Sequence, residues 1–223
     1  QGREQAFTSF FTIALSHLPS EIWHDLCAKL DAATTSRIFP GIRGFGGRSA
    51  LHLLLNNHRH EDFVQIHHYL DQNSMNAMVT VFDDEGYSPL HRVARSFNDE
   101  QFAQYLNLLE PATLNVALSL QTRMELASVF HLLVTNFNSA NCQILLNKIN
   151  RRLLNDVVLL RDRDGRTGIY VAAVYHGKDI MEAILNRLEQ PVLEYIAAHD
   201  PHTLLELIKK ENIVSLTQLL RFG

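Results

Sequence analysis

The sequence has only two cysteines, no long apolar run and no excess of basic residues. Cys27 and Cys142 lie far apart and lack the short spacing of zinc ligands, which indicates a reducing compartment rather than a disulfide framework. No stretch approaches the ~18 consecutive apolar residues of a transmembrane helix, so we expect no membrane span. The formal net charge is −4 without a basic stripe, so we expect no nucleic-acid partner.

A four-residue signature recurs at nearly constant intervals along the chain. It starts with Ser or Thr, and the steps between its last residues are 39, 40 and 39; these residues are His52, His91, His131 and Tyr170. A second series keeps the same steps: Met75-Asn76, Leu114-Asn115, Leu154-Asn155 and Leu193-Glu194. Two marks in one register indicate a tandem array of one supersecondary unit, and such arrays commonly form binding surfaces.

The unit that begins at Asp83 shows why the repeat predicts helices. Residues Asp83 to Gly86 form a turn sequence, Ser88 can cap a helix, and Pro89 suits the first helical position. Two runs with apolar residues at helical spacing follow. We therefore expect stacked helical hairpins with negligible sheet and an added helical turn near Leu114. The residues expected to be buried are Leu90, Val93, Phe102, Leu106, Ile169, Ala172, Ile184 and Leu188.

These units resemble ankyrin repeats, whose hallmark is a D-x-x-G-x-T-P-L-H-x-A turn and helix start. Residues 86–94 match it most closely, whereas the unit from Asp162 has Gly168 for the proline and Tyr170 for the histidine. Ankyrin repeats are ~33 residues long, and the period alone would also fit HEAT-type repeats. The resemblance implies an all-α solenoid of about five helical-hairpin units over residues 44–223. The structural repeat positions are then His52, His91, His131 and Tyr170.

Residues 1–43 lack this signature. The segment Ser16 to Glu21 has the signals of a helix start, and an apolar stripe follows at four-residue steps. The segment resembles an F-box, whose pattern is L-P-x-E, further apolar residues and a second short helix. Thr35 departs from that pattern, because an apolar residue is usual there. The resemblance implies a Skp-type adaptor protein as partner, bound by Leu18, Pro19, Glu21, Ile22, Trp23, Leu26 and Leu30.

An F-box-like segment before a few divergent ankyrin-like repeats resembles bacterial ankyrin/F-box effectors of the AnkB type. This implies a cytoplasmic protein of the host cytosol that recruits a target held by the repeats to a Skp/cullin ubiquitin ligase. Two alternatives stay open. One is a plain ankyrin scaffold in which residues 1–43 are an N-terminal cap. The other is the non-catalytic targeting region of a larger effector enzyme; the start at Gln1-Gly2 leads us to read the chain as an excised piece.

The chain's histidines and cysteines do not form a recognisable catalytic or metal-binding pattern. The densest histidine group is His58, His60, His67 and His68. It contains no pair at i, i+4 and has no nearby cysteine, so we expect no bound metal. A cysteine nucleophile would need an adjacent base, and we expect Cys142 and Cys27 to be buried free thiols. The sequence therefore predicts a binding protein without catalytic residues or cofactors.

Overall fold

The structure, a computed structural model, describes residues 10–15, 17–55 and 60–221. Throughout these residues the regular secondary structure is helical and no strand forms. The predicted all-α fold is therefore confirmed. None of the helices in the described part of the chain is long and apolar enough to cross a membrane.

The helices recur in groups, which we number as units 1 to 5. Unit 1 contains Ala50–Leu54, His60–Ile66 and Gln72–Val79; unit 2 contains Pro89–Ser96, Asp99–Leu108 and Pro111–Ala117; unit 3 contains Val129–Asn136, Ser139–Lys148 and Arg151–Leu159; unit 4 contains Gly168–Tyr175, Lys178–Leu185 and Gln190–His199; unit 5 contains Pro201–Lys209 and Ile213–Leu220. The expectation of hairpins with one added turn is thus wrong for units 1 to 4. Their additional residues form a complete third helix.

The third helix forms because each copy has its own start signal and its own apolar face. In unit 3, the side chain of Asn150 accepts a hydrogen bond from the backbone N–H of Leu153 and caps the helix. In unit 2, Pro111 occupies the first turn, and Leu114 and Ala117 are fully buried. These residues therefore extend the core of the hairpin and do not form a loop.

Successive units stack with like helices in contact. From unit 2 to unit 5, first helices pack on first helices and second helices on second helices, and the third helices of units 1 and 2 pack together. The apolar side chains merge into one continuous core. The eight residues expected to be buried are all at most 2% exposed, so this prediction is confirmed.

The irregular step of 40 residues arises in a turn. In the turn before unit 2, Gly86 N–H donates to the carbonyl of Asp83, whereas before unit 3 Leu126 N–H donates to the carbonyl of Thr122. The turn before unit 3 is thus one residue longer. Backbone hydrogen bonds also join neighbouring turns, from Arg123 N–H to the carbonyl of Gly86 at 3.4 Å, for example. The helices consequently keep their register while the turns absorb the difference in length.

The repeat extends into the N-terminal segment, where the signature is not visible. Helical residues 10–15, Ser20–Ala28 and Ala32–Ile38 precede the three helices of unit 1 by 40 residues each. Ser20–Ala28 packs on the second helix of unit 1. Trp23, 40 residues before the buried Phe63, is fully buried like Phe63. Residues 10–41 thus stack as a further unit, which we term unit 0, and helix order does not change at the expected boundary near residue 43.

A hydrogen bond shared by two junctions supports this register. The hydroxyl of Ser36 accepts from the backbone N–H of Asp71 at 2.9 Å, at the start of the third helix of unit 1. At the corresponding place between units 3 and 4, the side-chain oxygen of Asn155 accepts from the backbone N–H of Glu189 at 3.1 Å. Unit 0 therefore contacts unit 1 in the way that later units contact one another.

At two of the later junctions, a basic side chain binds the end of the second helix of the preceding unit. The ammonium of Lys148 in unit 3 donates to the last carbonyls of the second helix in unit 2, those of Leu106, Asn107 and Leu109. Arg187, at the corresponding position of unit 4, donates to the carbonyls of Leu146 and Ile149. The last carbonyls of a helix have no partner within it, and the helix dipole favours a cation there.

Candidate binding surfaces

The signature histidines link each unit to the next. His91 lies on the first helix of unit 2, and its Nδ1 accepts from the backbone N–H of Ser88 at 3.1 Å. Its Nε2 lies 3.3 Å from the carbonyl of Ala127 in the following turn. His52 and His131 make the equivalent contacts to the carbonyls of Tyr87 and Arg166. Since an N–H can only donate and a carbonyl can only accept, these partners select the neutral ring with the proton on Nε2.

Burial reinforces this neutral state. Loss of hydration lowers the pKa of His91 to about 4, although carbonyl hydrogen bonds oppose the shift. The pKa values of His52 and His131 are lowered for the same reason. All three rings are buried, with Nδ1 bonded at the helix start of their own unit and Nε2 at the following turn. They therefore occupy structural positions.

At the junction between units 4 and 5, other residues replace the histidine contact. Tyr170 stands at the histidine position and makes an edge contact with the ring of His202. The link to the next unit passes instead through Thr167, whose hydroxyl lies 2.5 Å from a carboxylate oxygen of Asp200. Asp200 also caps the first helix of unit 5 by accepting from the backbone N–H of Thr203. Tyr170 is therefore a packing residue at a junction of different chemistry.

A groove with a volume of about 400 Å³ lies between the turns and the first helices of units 3 and 4. One wall comes from the turns, with Glu125 and Arg163, and the other from the first helices, with Leu132 and Val174. Tyr175 also lines the groove and is more than half exposed. The groove thus combines apolar and aromatic surface with both signs of charge, a mixture typical of protein-binding surfaces.

The turn beside this groove is strained and apolar. Leu126 has φ +53°, whereas the three matching positions, Gly47, Gly86 and Gly165, are glycines with positive φ. A leucine in this conformation is uncommon and costs free energy. Leu126 is nevertheless 46% exposed, and Met124 in the same turn is 67% exposed. Burial therefore does not explain why an apolar side chain stands here, and strain of this kind concentrates at functional sites.

The groove is bordered by ordered charged side chains. Arg166 pairs with Asp162 at 2.7 Å and with Asp164 at 2.9 Å. In the neighbouring turn, Glu125 lies 3.3 Å from Arg95, which belongs to the first helix of unit 2. The Asp162 side chain is only 6% exposed, whereas the pairs of Arg166 with Asp164 and of Arg95 with Glu125 are exposed on both sides and add little stability, because water and salt screen them. They do fix the positions of donors and acceptors that a partner would meet.

The proposed adaptor-binding residues divide into exposed and buried groups. Pro19 and Glu21 are exposed, and Ile22 is 52% exposed. The leucines of the stripe are partly buried against the core: Leu18, Leu26 and Leu30. Trp23 is 0% exposed and packs against the rings of Phe11 and Phe39, so the expectation that it is accessible to an adaptor is wrong. It lies at the core position of unit 0.

Large apolar side chains nevertheless remain exposed on unit 0. Besides Ile22, the side chains of Phe10 and Ile13 are more than half exposed on the first helix of this unit. Exposed apolar surface of this kind is a candidate for protein contact. Unit 0 therefore has both a buried face that covers unit 1 and an outer face with candidate anchors.

Cys142 has a histidine neighbour that the sequence did not reveal. Its Sγ lies 3.2 Å from Nε2 of His176, 34 residues later. However, the same nitrogen lies 2.8 Å from the carbonyl of Val134, which requires a proton on Nε2. Burial, together with the negative charge of Asp99, raises the pKa of the thiol to about 12. The predicted buried free thiol is confirmed for Cys142, and this pair lacks an activated nucleophile.

The other cysteine and histidine predictions are tested only in part. His58 lies outside the described residues, and the side chains of Cys27 and His60 are likewise outside them. His67 and His68 follow the second helix of unit 1, and Nδ1 of His67 contacts the carbonyl of Val64 at 2.8 Å. Within the described residues, no group of three or more potential ligands could hold a metal ion. The expected lack of bound metal stays a prediction.

The chain matches no protein-family model, and no curated protein matches it significantly.

Proposed function

We propose that this chain is a protein-binding repeat protein that holds a target in the groove between units 3 and 4. The observation that carries this proposal is the strained, exposed Leu126 beside the groove, at a position where the neighbouring turns have glycine. An apolar side chain that is held at a conformational cost and left in solvent is suited to contact with a partner.

The helical units support a relationship to ankyrin repeats. They have a glycine turn with positive φ before the first helix, and a Ser–His capping pair at the start of that helix. A buried neutral histidine reaches the following turn, and a third helix accounts for the longer period. We therefore describe the chain as a divergent ankyrin-like solenoid.

Site-specific photo-crosslinking would test the groove. A photoreactive phenylalanine analogue replaces Leu126 in one variant and the exposed Glu100, on the second helix of unit 2, in a control variant. We expect one partner to crosslink from position 126 and not from position 100. An excess of the unmodified chain should compete for this partner and reduce the crosslink. Equal crosslinking from both positions, or none from position 126, would exclude the groove as the target site.

The outer face of unit 0 favours a second binding function, as an adaptor for a Skp/cullin ubiquitin ligase. Ile22 and Pro19 remain exposed on this unit, as do Phe10 and Ile13, in keeping with the F-box resemblance. The stacking of unit 0 on unit 1, with Trp23 in the core, favours the alternative of an N-terminal cap. The two functions are compatible, because the buried and exposed faces are different.

Calorimetry with a purified Skp-type adaptor separates these alternatives. We expect Ile22→Ser to abolish adaptor binding without changing the melting temperature, since the side chain is half exposed. Trp23→Ala is the matched contrast, and its loss of core packing should cost ~3–5 kcal/mol of stability. If the unmutated chain does not bind the adaptor, the ligase assignment fails and the cap remains. The groove proposal is unaffected by that outcome.

A further inference from the structure

A cleft at the junction of units 1 and 2 lacks the basic side chain that closes the following two junctions. Position 108 corresponds to Lys148 and Arg187 in the 39–40-residue register, but it is a leucine. Among the described residues, neither a lysine nor an arginine donates a hydrogen bond to the end of the second helix of unit 1. At this place the structure has a cleft with a volume of about 450 Å³.

The lining of the cleft is suited to a cation. His67, His68 and Leu70 line it, and they correspond in register to the residues whose carbonyls hold Lys148. The helix dipole places partial negative charge at such an end. Glu110 also lines the cleft and is an acidic residue at this junction. The apolar parts of Phe63 and Met75 can accompany the aliphatic stem of a long basic side chain.

We propose that this cleft binds a lysine or arginine side chain of a partner protein. Its cationic group takes the place that Lys148 and Arg187 take at the next two junctions, and its stem lies along the apolar lining. The equivalent junctions of this chain thus show that the end of a second helix accepts a basic side chain. The proposal depends only on the junction of units 1 and 2 and is independent of the groove and the outer face of unit 0.

A nuclear magnetic resonance titration in an amine-free buffer tests this directly. The probes are the Nα-acetyl methylamides of lysine, arginine and norleucine; norleucine has an aliphatic stem similar to that of lysine but no charge. We expect the two cationic probes to shift the amide signals of residues 67–70, 107–110 and 112–113, and norleucine to shift none of them. The cationic probe that binds with the higher affinity identifies the preferred side chain. Equal shifts with norleucine would overturn the proposal.

Two substitutions show whether the probes bind in the cleft. Leu108→Lys supplies the missing cation from within the chain, so it should weaken probe binding at least about tenfold. Leu108→Met is the uncharged control and should retain binding. Glu110→Gln, at an exposed position, should weaken binding several-fold without affecting folding. Unchanged affinity in both Leu108→Lys and Glu110→Gln would show that the probes bind elsewhere and would refute the assignment.

Discussion

Acid should weaken this protein through its buried histidines, and His91 gives the clearest case. Protonation of Nδ1 would place an N–H against the backbone N–H of Ser88, which now donates to that nitrogen. The folded protein therefore binds the proton more weakly than the unfolded chain does. The pKa of His91 falls from 6.5 to about 4 on folding, a difference worth roughly 3 kcal/mol at acid pH.

The direction of the pH dependence of stability follows from the lowered pKa of His91. Above pH 6.5 the ring is neutral in both states and the contribution is fully present; as the pH falls toward about 4, the unfolded chain takes up the proton first and the stabilisation is lost. His52 and His131, whose pKa values are also lowered, should act in the same sense. The effect at His52 is opposed by Asp83, which lies 3.9 Å from its Nε2 and favours the charged ring.

Urea unfolding between pH 7.5 and pH 4.5 measures this effect, with His91→Gln as the matched variant. Glutamine can accept the same Ser88 N–H in a capping box but does not titrate. Carboxylates contribute to the pH dependence of both proteins, so the difference between them isolates the histidine. We expect the unmutated protein to lose more stability by roughly 2–3 kcal/mol at the acid end. Parallel curves for the two proteins would show that His91 is not held neutral by the fold.

Three further predictions concern stability and reactivity. Leu106→Ala should cost ~2–5 kcal/mol, because the side chain is fully buried between units, and a loss below ~1 kcal/mol in chemical denaturation would contradict the packing. Leu126→Asn should raise stability by ~0.5–1 kcal/mol, since asparagine tolerates positive φ; Leu126→Ala, which retains the strain, should bring no such gain. Cys142 should react with iodoacetamide only on unfolding, and fast labelling of the native protein would contradict its burial and raised pKa.

Periodicity made much of the fold predictable. The Ser/Thr caps and apolar spacing predicted the first two helices of each unit and their buried residues, because these signals are local. The third helix was underestimated, since its start signals vary between side-chain caps, from Asp71 and Asn150, and prolines in the first turn, Pro111 and Pro191. Unit 0 was missed because it lacks the signature histidine. Its mark in the second series, Thr35-Ser36, is polar where later units have an apolar residue.

The contacts between units were less accessible to sequence reasoning. The pairing of Cys142 with His176, and the contacts of Lys148 and Arg187, join residues that are 34 to 42 positions apart. Such contacts depend on how units are superimposed, and spacing within one unit carries no information about them. Comparing corresponding positions across units would have shown that Lys148 and Arg187 share a register that Leu108 interrupts. The misplacement of Trp23 has the same origin, because its core position is visible only once unit 0 is aligned with Phe63.

The longer turn before unit 3 shows how this architecture separates helix stacking from turn length. One additional residue between Thr122 and Leu126 leaves the helices on either side in register, because the hydrogen bond from Thr122 N–H to the carbonyl of Ala127 closes the turn at its base. A small change in turn length is therefore structurally inexpensive. Insertions in this turn would alter the surface beside the proposed target groove while the helical body is inherited intact.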